Sequence, residues 1–219
     1  MRWSIVITTA PRAVPTLLDT LRSMRLAGGF EHDVSISIVD DAADSATKLG
    51  PWRNWRRGLS SLAETIADLY VIMQDDVQVR PGLRKYLEKT ITANGVYSPY
   101  TSGKDHQLRG ELFGGSWYYN GTGWSHCGAL MYVMPPAAVA YLERRLPQTV
   151  PHNRHIDAHV GELLKSNRHM PLLMHVPSIA QHTGDGNSTM GYGVSAWLRT
   201  GKGFVNEPLI PIETARASS

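Results

Sequence analysis

The sequence predicts an α/β fold, a single domain built on a Rossmann-like, mostly parallel sheet flanked by helices. Three observations predict it. Short β-branched runs alternate with amphipathic helical stretches from the first residues onward. Two of those runs end in adjacent carboxylates, Asp40-Asp41 and Asp75-Asp76. A strand, a helix and a strand in that order imply a right-handed crossover and a parallel pair, which brings both acidic ends to one edge of one sheet.

Residues 3–8 (WSIVIT) read as the first strand and lead into a polar corner of Thr8, Thr9, Pro11 and Arg12. Leu17, Leu18, Leu21 and Met24 then recur at helical spacing until Gly28-Gly29, so residues 14–26 form a helix with one buried face. Residues 34–39 (VSISIV) are the second strand. A polar stretch over 42–57 and a helix over 59–69 precede the third, which begins at Tyr70. Pro81 opens a helix over 82–93, with Leu83, Tyr86, Leu87 and Ile91 as its buried stripe. Residues 97–126 are rich in Gly, Ser, Tyr and Trp and carry no period. Aromatics among small residues suit a sugar or base platform; a surface hairpin with a small aromatic cluster is the equal alternative. Regularity returns with a strand over 129–134, a helix from Pro135-Pro136 to Arg145, a helix over 155–166 and a last strand over 172–176. The loop over 177–189 has little to bury and many groups able to grip a ligand. The domain spans residues 1–200, and residues 201–219 form a tail extended over the surface with a frayed end.

Bulk properties narrow the function classes. A chain of 219 residues buries one large core, and 42% hydrophobic with 19% charged residues describes an ordinary globule. A formal charge of +3 is too small for a protein that coats nucleic acid but accommodates an anionic ligand. The apolar runs are too short for a membrane span, and Met1-Arg2 leads straight into a strand, so the expected location is the cytoplasm. The single cysteine, Cys127, excludes an intramolecular disulfide and reads as a small apolar residue beside Gly128-Ala129-Leu130.

The chemistry concentrates where the Tyr70-Val71-Ile72-Met73 run meets Gln74-Asp75-Asp76. Two carboxylates at the end of a buried strand repel each other and face desolvation, and a divalent cation relieves both costs. That end of the strand is also where open α/β sheets bind ligands. The alternative is a solvated turn with Asp76 near the start of the Pro81 helix.

The ordered set of Ile7-Thr8-Thr9, Asp40-Asp41, Gln74-Asp75-Asp76, the Gly128 strand, Asp157 on a late helix and Gln181-His182-Thr183-Gly184 resembles the glycosyltransferases of the GT-A fold. The phrase running from His175 to Gly184, taken with Gln74-Asp75-Asp76-Val77, is most similar to branching N-acetylglucosaminyltransferases and small bacterial or phage transferases. The resemblance implies that Asp76 and His182 ligate Mn²⁺ or Mg²⁺ on a nucleotide diphosphate sugar, with UDP the expected nucleotide. It places Asp75 by the ribose or sugar, Asp40 by the nucleoside, and Thr8 and Thr9 in the base pocket. Arg57 is a diphosphate candidate, with Arg12, Lys48 and Arg53 beside it; a solvated basic face is the other reading of each. Gln74 departs from the acid usual at its position. Asp157 matches the general base of inverting members, with Glu162 as a weaker alternative and helix N-terminal stabilisation as the competing role.

The acceptor implied is a glycan or a hydroxymethylated DNA base. The DNA option rests on a basic-aromatic patch of Trp52, Arg53, Trp55, Arg56 and Arg57. Three rivals share parts of this pattern. A phosphoacceptor receiver domain also has paired acids, but after its first strand and in a chain about half as long, whereas the acids here follow the second and third strands. A nucleotidyltransferase would share the sheet and metal, but Thr8-Thr9-Ala10-Pro11-Arg12 is not its Gly-rich phosphate loop. A non-catalytic sugar- or nucleic-acid-binding module would need neither Asp76 nor His182.

Overall fold

The computed structural model describes residues 1–11, 14–41, 50–91, 94–101, 116–119, 129–149, 155–165, 167–184, 204 and 208–209. The elements are β1 (Trp3–Thr9), α1 (Leu17–Arg22) continued by a π-helical turn (Ser23–Ala27), β2 (Val34–Asp40), α2 (Gly50–Ala63), β3 (Leu69–Gln74), β4 (Val77–Val79) and α3 (Leu83–Thr90). They continue with β5 (Val96–Ser98), β6 (Ser116–Tyr119), β7 (Met131–Met134), α4 (Pro136–Arg145), α5 (Ile156–Leu164), β8 (Leu172–Val176) and β9 (Ala180–His182). Seven strands form one sheet in the order β2-β1-β3-β7-β5-β8-β6. Five of them run in one direction, with β7 and β6 reversed, because β1 pairs in parallel with β2 and β3, and β5 with β8, while β7 and β6 pair antiparallel. The expected α/β, mostly parallel architecture is therefore present.

The sheet is covered on both faces, which is why β1 and β3 read as continuous apolar runs. One face buries Ile5, Ile7, Val71 and Met73 together with Met24, Leu83 and Leu87 from the α1 and α3 side. The opposite face buries Val6, Tyr70 and Ile72 against Trp55 and Leu59 of α2, Leu142 of α4 and Leu164 of α5. A separate two-stranded ribbon, β4 with β9, stands outside the sheet and carries the chain just beyond the acidic pair.

Five sequence expectations change. Helix α2 starts at Gly50 rather than 59, because the stretch 50–57 is amphipathic about Trp52 and Trp55 despite its arginines. The α1 segment tightens to residues 17–27 and ends in π geometry, and the Pro81 helix shortens to Leu83–Thr90, so the three-residue β4 stands between Asp76 and that helix. Within the supposedly irregular stretch, β6 pairs with β8 and buries Tyr118. The basic-aromatic patch is not a surface: Trp52, Trp55 and Arg56 are buried, and the Arg56 guanidinium meets Glu143 of α4 at 2.7 Å, with Ser60 on the other carboxylate oxygen at 3.0 Å. A charge that reads as solvent-facing is thus a buried strut between α2 and α4, and the DNA acceptor loses the feature that suggested it.

Helix α2 lies close to the sheet because residue 58 has no side chain. A Cβ there would stand 2.9 Å from Val6 Cγ1 and 3.2 Å from Ile72 Cδ1. Gly58→Ala gains about 1 kcal/mol of helix propensity but must push α2 off a packed sheet, an overpacking cost of about 1–3 kcal/mol. Net destabilisation in urea unfolding at unchanged slope is expected; a stabilised variant would show that α2 does not rest tightly on β1 and β3.

Candidate active site

The carboxyl ends of β1, β2 and β3 lie side by side, in register Thr9 with Asp40 and Thr8 with Gln74. Each sequence-selected residue at this edge has a definite contact. Thr9 Oγ1 donates to Asp75 Oδ2 at 2.6 Å, a short charge-assisted bond that orients this carboxylate. Thr8 instead turns into the sheet, its hydroxyl donating to the Met73 carbonyl at 3.1 Å. Gln74 is spent on β7, with its amide group donating to the Ala129 carbonyl at 3.3 Å. Asp41 does not face this edge openly: its carboxylate covers the first residue of α2, where a Cβ on Gly50 would lie 1.7 Å from Oδ2.

The sequence reading did not find Asn54, whose signal was one helical turn of spacing before Arg57 on a helix that had been read as polar loop. Its amide nitrogen donates to the Thr9 and Val39 carbonyls, each at 2.9 Å, stitching the ends of β1 and β2. Its oxygen accepts from the Arg57 guanidinium at 2.9 Å, and Arg57 also donates to the Asp40 carbonyl at 2.7 Å. Arg57 and Asp40 are therefore brought together at the mouth between β1 and β2.

Asp76 and His182 meet across the ribbon. The β4–β9 register places Val77 opposite His182, and the Thr183 amide donates to the Asp76 carbonyl at 2.9 Å. His182 Nε2 then lies 3.1 Å from Asp76 Oδ2, with the two side chains 11% and 2% exposed. Cations with ligands about 2.1 Å away set neighbouring donor atoms about 3–3.5 Å apart, so this nitrogen and oxygen fit two adjacent ligands of one Mn²⁺- or Mg²⁺-sized ion. Among the described residues no cluster of three His, Cys, Asp or Glu side chains is assembled.

Asp157 comes from a different element. It occupies the first turn of α5, with Oδ1 accepting from the Ala158 amide at 2.9 Å, on the helix that packs with α2 and α4. Glu162 is on the exposed side of α5, 4.0 Å from Lys165. Arg53 is exposed, and Arg12, Lys48, Cys127 and Gly128 lie outside the described residues.

His175, which opens the phrase ending at Gly184 but carries no role in the sequence reading, has definite partners of its own. His175 is buried at the end of β8; its Nδ1 donates to the Pro177 carbonyl and its Nε2 accepts from the Tyr86 hydroxyl, both at 2.6 Å. Burial drives its pKa down to about 4, opposed by the Pro177 bond and reinforced by Arg80. The signal was present only as a His inside an apolar strand.

No protein-family model and no curated protein sequence matches the chain. Among solved structures it is similar to a protein of Bacillus anthracis named a glucose-1-phosphate thymidylyltransferase, solved with sucrose, at TM-score 0.51 and 10% identity over 90% of this chain and 98% of that one. What is shared is the fold. HddC of Yersinia pseudotuberculosis, solved with GMP-PN, follows at TM-score 0.38 and 7% identity over 78% of this chain and 89% of that one. TarS 1–349 of S. aureus follows at 0.35 and 8% over 80% and 60%. At those scores neither carries an argument. No described helix is long and apolar enough to cross a membrane.

Proposed function

We propose that the chain is a metal-dependent glycosyltransferase that moves a sugar from a nucleotide diphosphate donor, UDP-sugar being the first candidate, to an acceptor hydroxyl. The observation that carries the reading is the convergence of Asp76 and His182 at 3.1 Å from two remote segments, beside the Thr9–Asp75 bond at the ligand-binding edge of the sheet. Asp76 and His182 would hold Mn²⁺ or Mg²⁺, which when bound offsets negative charge on the leaving diphosphate. Asp75, oriented by Thr9, faces the ribose or sugar; Asp40 takes the nucleoside, and Arg57 has the charge to meet the diphosphate. Asp157 is kept as the base that removes the acceptor proton in an inverting transfer, although its helix position alone does not require it. Of the two acceptors, a glycan is favoured over a modified DNA base now that Trp52, Trp55 and Arg56 are buried.

A second reading, nucleotidyl transfer, is favoured by the fold shared with the thymidylyltransferase-named protein. The two part on what is released. Calorimetric titration with UDP, with and without Mn²⁺, is expected to show binding that needs the metal, followed by release of UDP from a UDP-sugar. Pyrophosphate released from a nucleoside triphosphate and a sugar 1-phosphate would decide for the second reading. Failure of uridine, guanosine, cytidine and thymidine diphosphates alike would sink the first.

A further inference from the structure

The ribbon strand β4 is held on two edges by two different devices, divided by the parity of its residues. On the β9 side, the Asp76 carbonyl accepts from Thr183 and the Arg80 amide donates to the Ile179 carbonyl at 3.2 Å. On the other side no strand serves the amides of Val77 and Val79; side-chain hydroxyls of the α1 segment do. The Val77 amide donates to Thr20 Oγ1 at 3.0 Å, and the Val79 amide to Ser23 Oγ at 2.8 Å. Thr20 does more than Ser23, because its hydroxyl also donates to the Asp75 carbonyl at 2.7 Å. One hydroxyl, 1% exposed, therefore grips the backbone immediately before and immediately after Asp76.

We infer that Thr20 is a positioning residue of the metal–nucleotide site, whose hydroxyl fixes the peptide turn on both sides of Asp76 so that its carboxylate meets His182. The inference rests on the proposed glycosyltransferase reading for its ligand and on the hydrogen bonds alone for its geometry. A buried hydroxyl with one donor and two acceptor sites suits a position that must offer a proton to a carbonyl and accept one from an amide. Neither valine nor alanine supplies either bond. Serine supplies both. Partners that orient metal ligands typically contribute 10- to 100-fold to metal affinity.

The test compares Thr20→Val, Thr20→Ser and Ser23→Ala with the parent. In calorimetry with Mn²⁺ and UDP, Thr20→Val is expected to weaken metal-dependent binding by about 10- to 100-fold, and Thr20→Ser to restore it to within about threefold. Ser23→Ala, which removes the neighbouring grip on Val79 but touches neither side of Asp76, is expected to lower stability without that loss. Equal losses in Thr20→Val and Ser23→Ala would mean that loosening β4 in general is what matters, and would overturn the inference, as would full affinity in a folded Thr20→Val. A second readout needs no nucleotide: crystal structures of the variants are expected to retain the Asp76–His182 contact in Thr20→Ser and lose it in Thr20→Val. A parent that binds no nucleoside diphosphate counts against the glycosyltransferase reading, and the variant structures then decide the role of Thr20 by themselves.

Discussion

Asp76→Ala is expected to abolish Mn²⁺-dependent binding of UDP, and His182→Ala to weaken it by at least about 100-fold. The lower bound follows from the 10- to 100-fold that mere orienting partners contribute, since a ligand bonded to the ion must count for more. The same 3.1 Å separation also describes an imidazolium–carboxylate ion pair, and the two roles give opposite patterns. If the pair were structural only, removing one partner would leave a nearly buried charge, costing about 3–5 kcal/mol of stability while Mn²⁺ had no effect on nucleotide affinity. If the pair holds a cation, affinity for UDP depends on Mn²⁺ in the parent, only weakly in His182→Ala and not at all in Asp76→Ala. Calorimetry with and without Mn²⁺ on parent, Asp76→Ala and His182→Ala separates the cases. Equal Mn²⁺-dependent affinities in parent and Asp76→Ala would remove the carboxylate from the site.

Acid is expected to weaken the fold through His175 before the carboxylates protonate. Its folded pKa of about 4 lies below the ordinary 6.5, so the folded chain prefers the neutral ring. Between those values the unfolded chain binds a proton that the folded chain refuses, and stability therefore rises with pH across this window. Full stability from this group is present above about pH 6.5 and falls by roughly 3 kcal/mol as pH drops to 4. The Pro177 carbonyl only accepts, so Nδ1 carries the neutral ring's proton and Nε2 accepts from Tyr86. A second ring proton would place a charge in a site closed to water, and that desolvation is the main cause of the preference. Urea unfolding at pH 7 and pH 4.5 is expected to show the slope, and His175→Asn, which keeps a donor for Pro177, is expected to flatten it. A variant with the parent's pH dependence would assign the acid sensitivity elsewhere.

The parts of the site that lie on long periodic elements were legible in the sequence. β1 and β3 announce themselves as buried apolar runs, and an acidic pair directly after such a run has little to do but face the ligand edge. The pairing of Asp76 with His182 was reached only through resemblance, because β4 and β9 are three residues each, too short for their pairing to be read from a period. The arginine cluster shows a different obstacle. Helical spacing sets Arg56 on the face of Trp52 and Leu59, apart from exposed Arg53 and Arg57, but its partner there, Glu143, is far along the chain, and long-range pairing leaves no periodic trace. Thr20 and Asn54 were passed over for a related reason, since a single hydroxyl or amide gains its meaning from the backbone groups that folding brings to it. Asp157 is the reverse case: its place near the start of a late helix is legible in the sequence, and there its carboxylate accepts from the Ala158 amide.

The ribbon formed by β4 and β9 also sets when in its history the molecule becomes competent. The carboxylate emerges early in synthesis and the imidazole late, and β9 must dock on β4 before the two face one another. A nascent chain stalled before Ala180 has β1, β2 and β3 complete but no nitrogen donor at this site. Under the proposed reading, cation-dependent nucleotide binding would report on the docking of β9, and ribosome-bound chains of increasing length are expected to acquire it in one step.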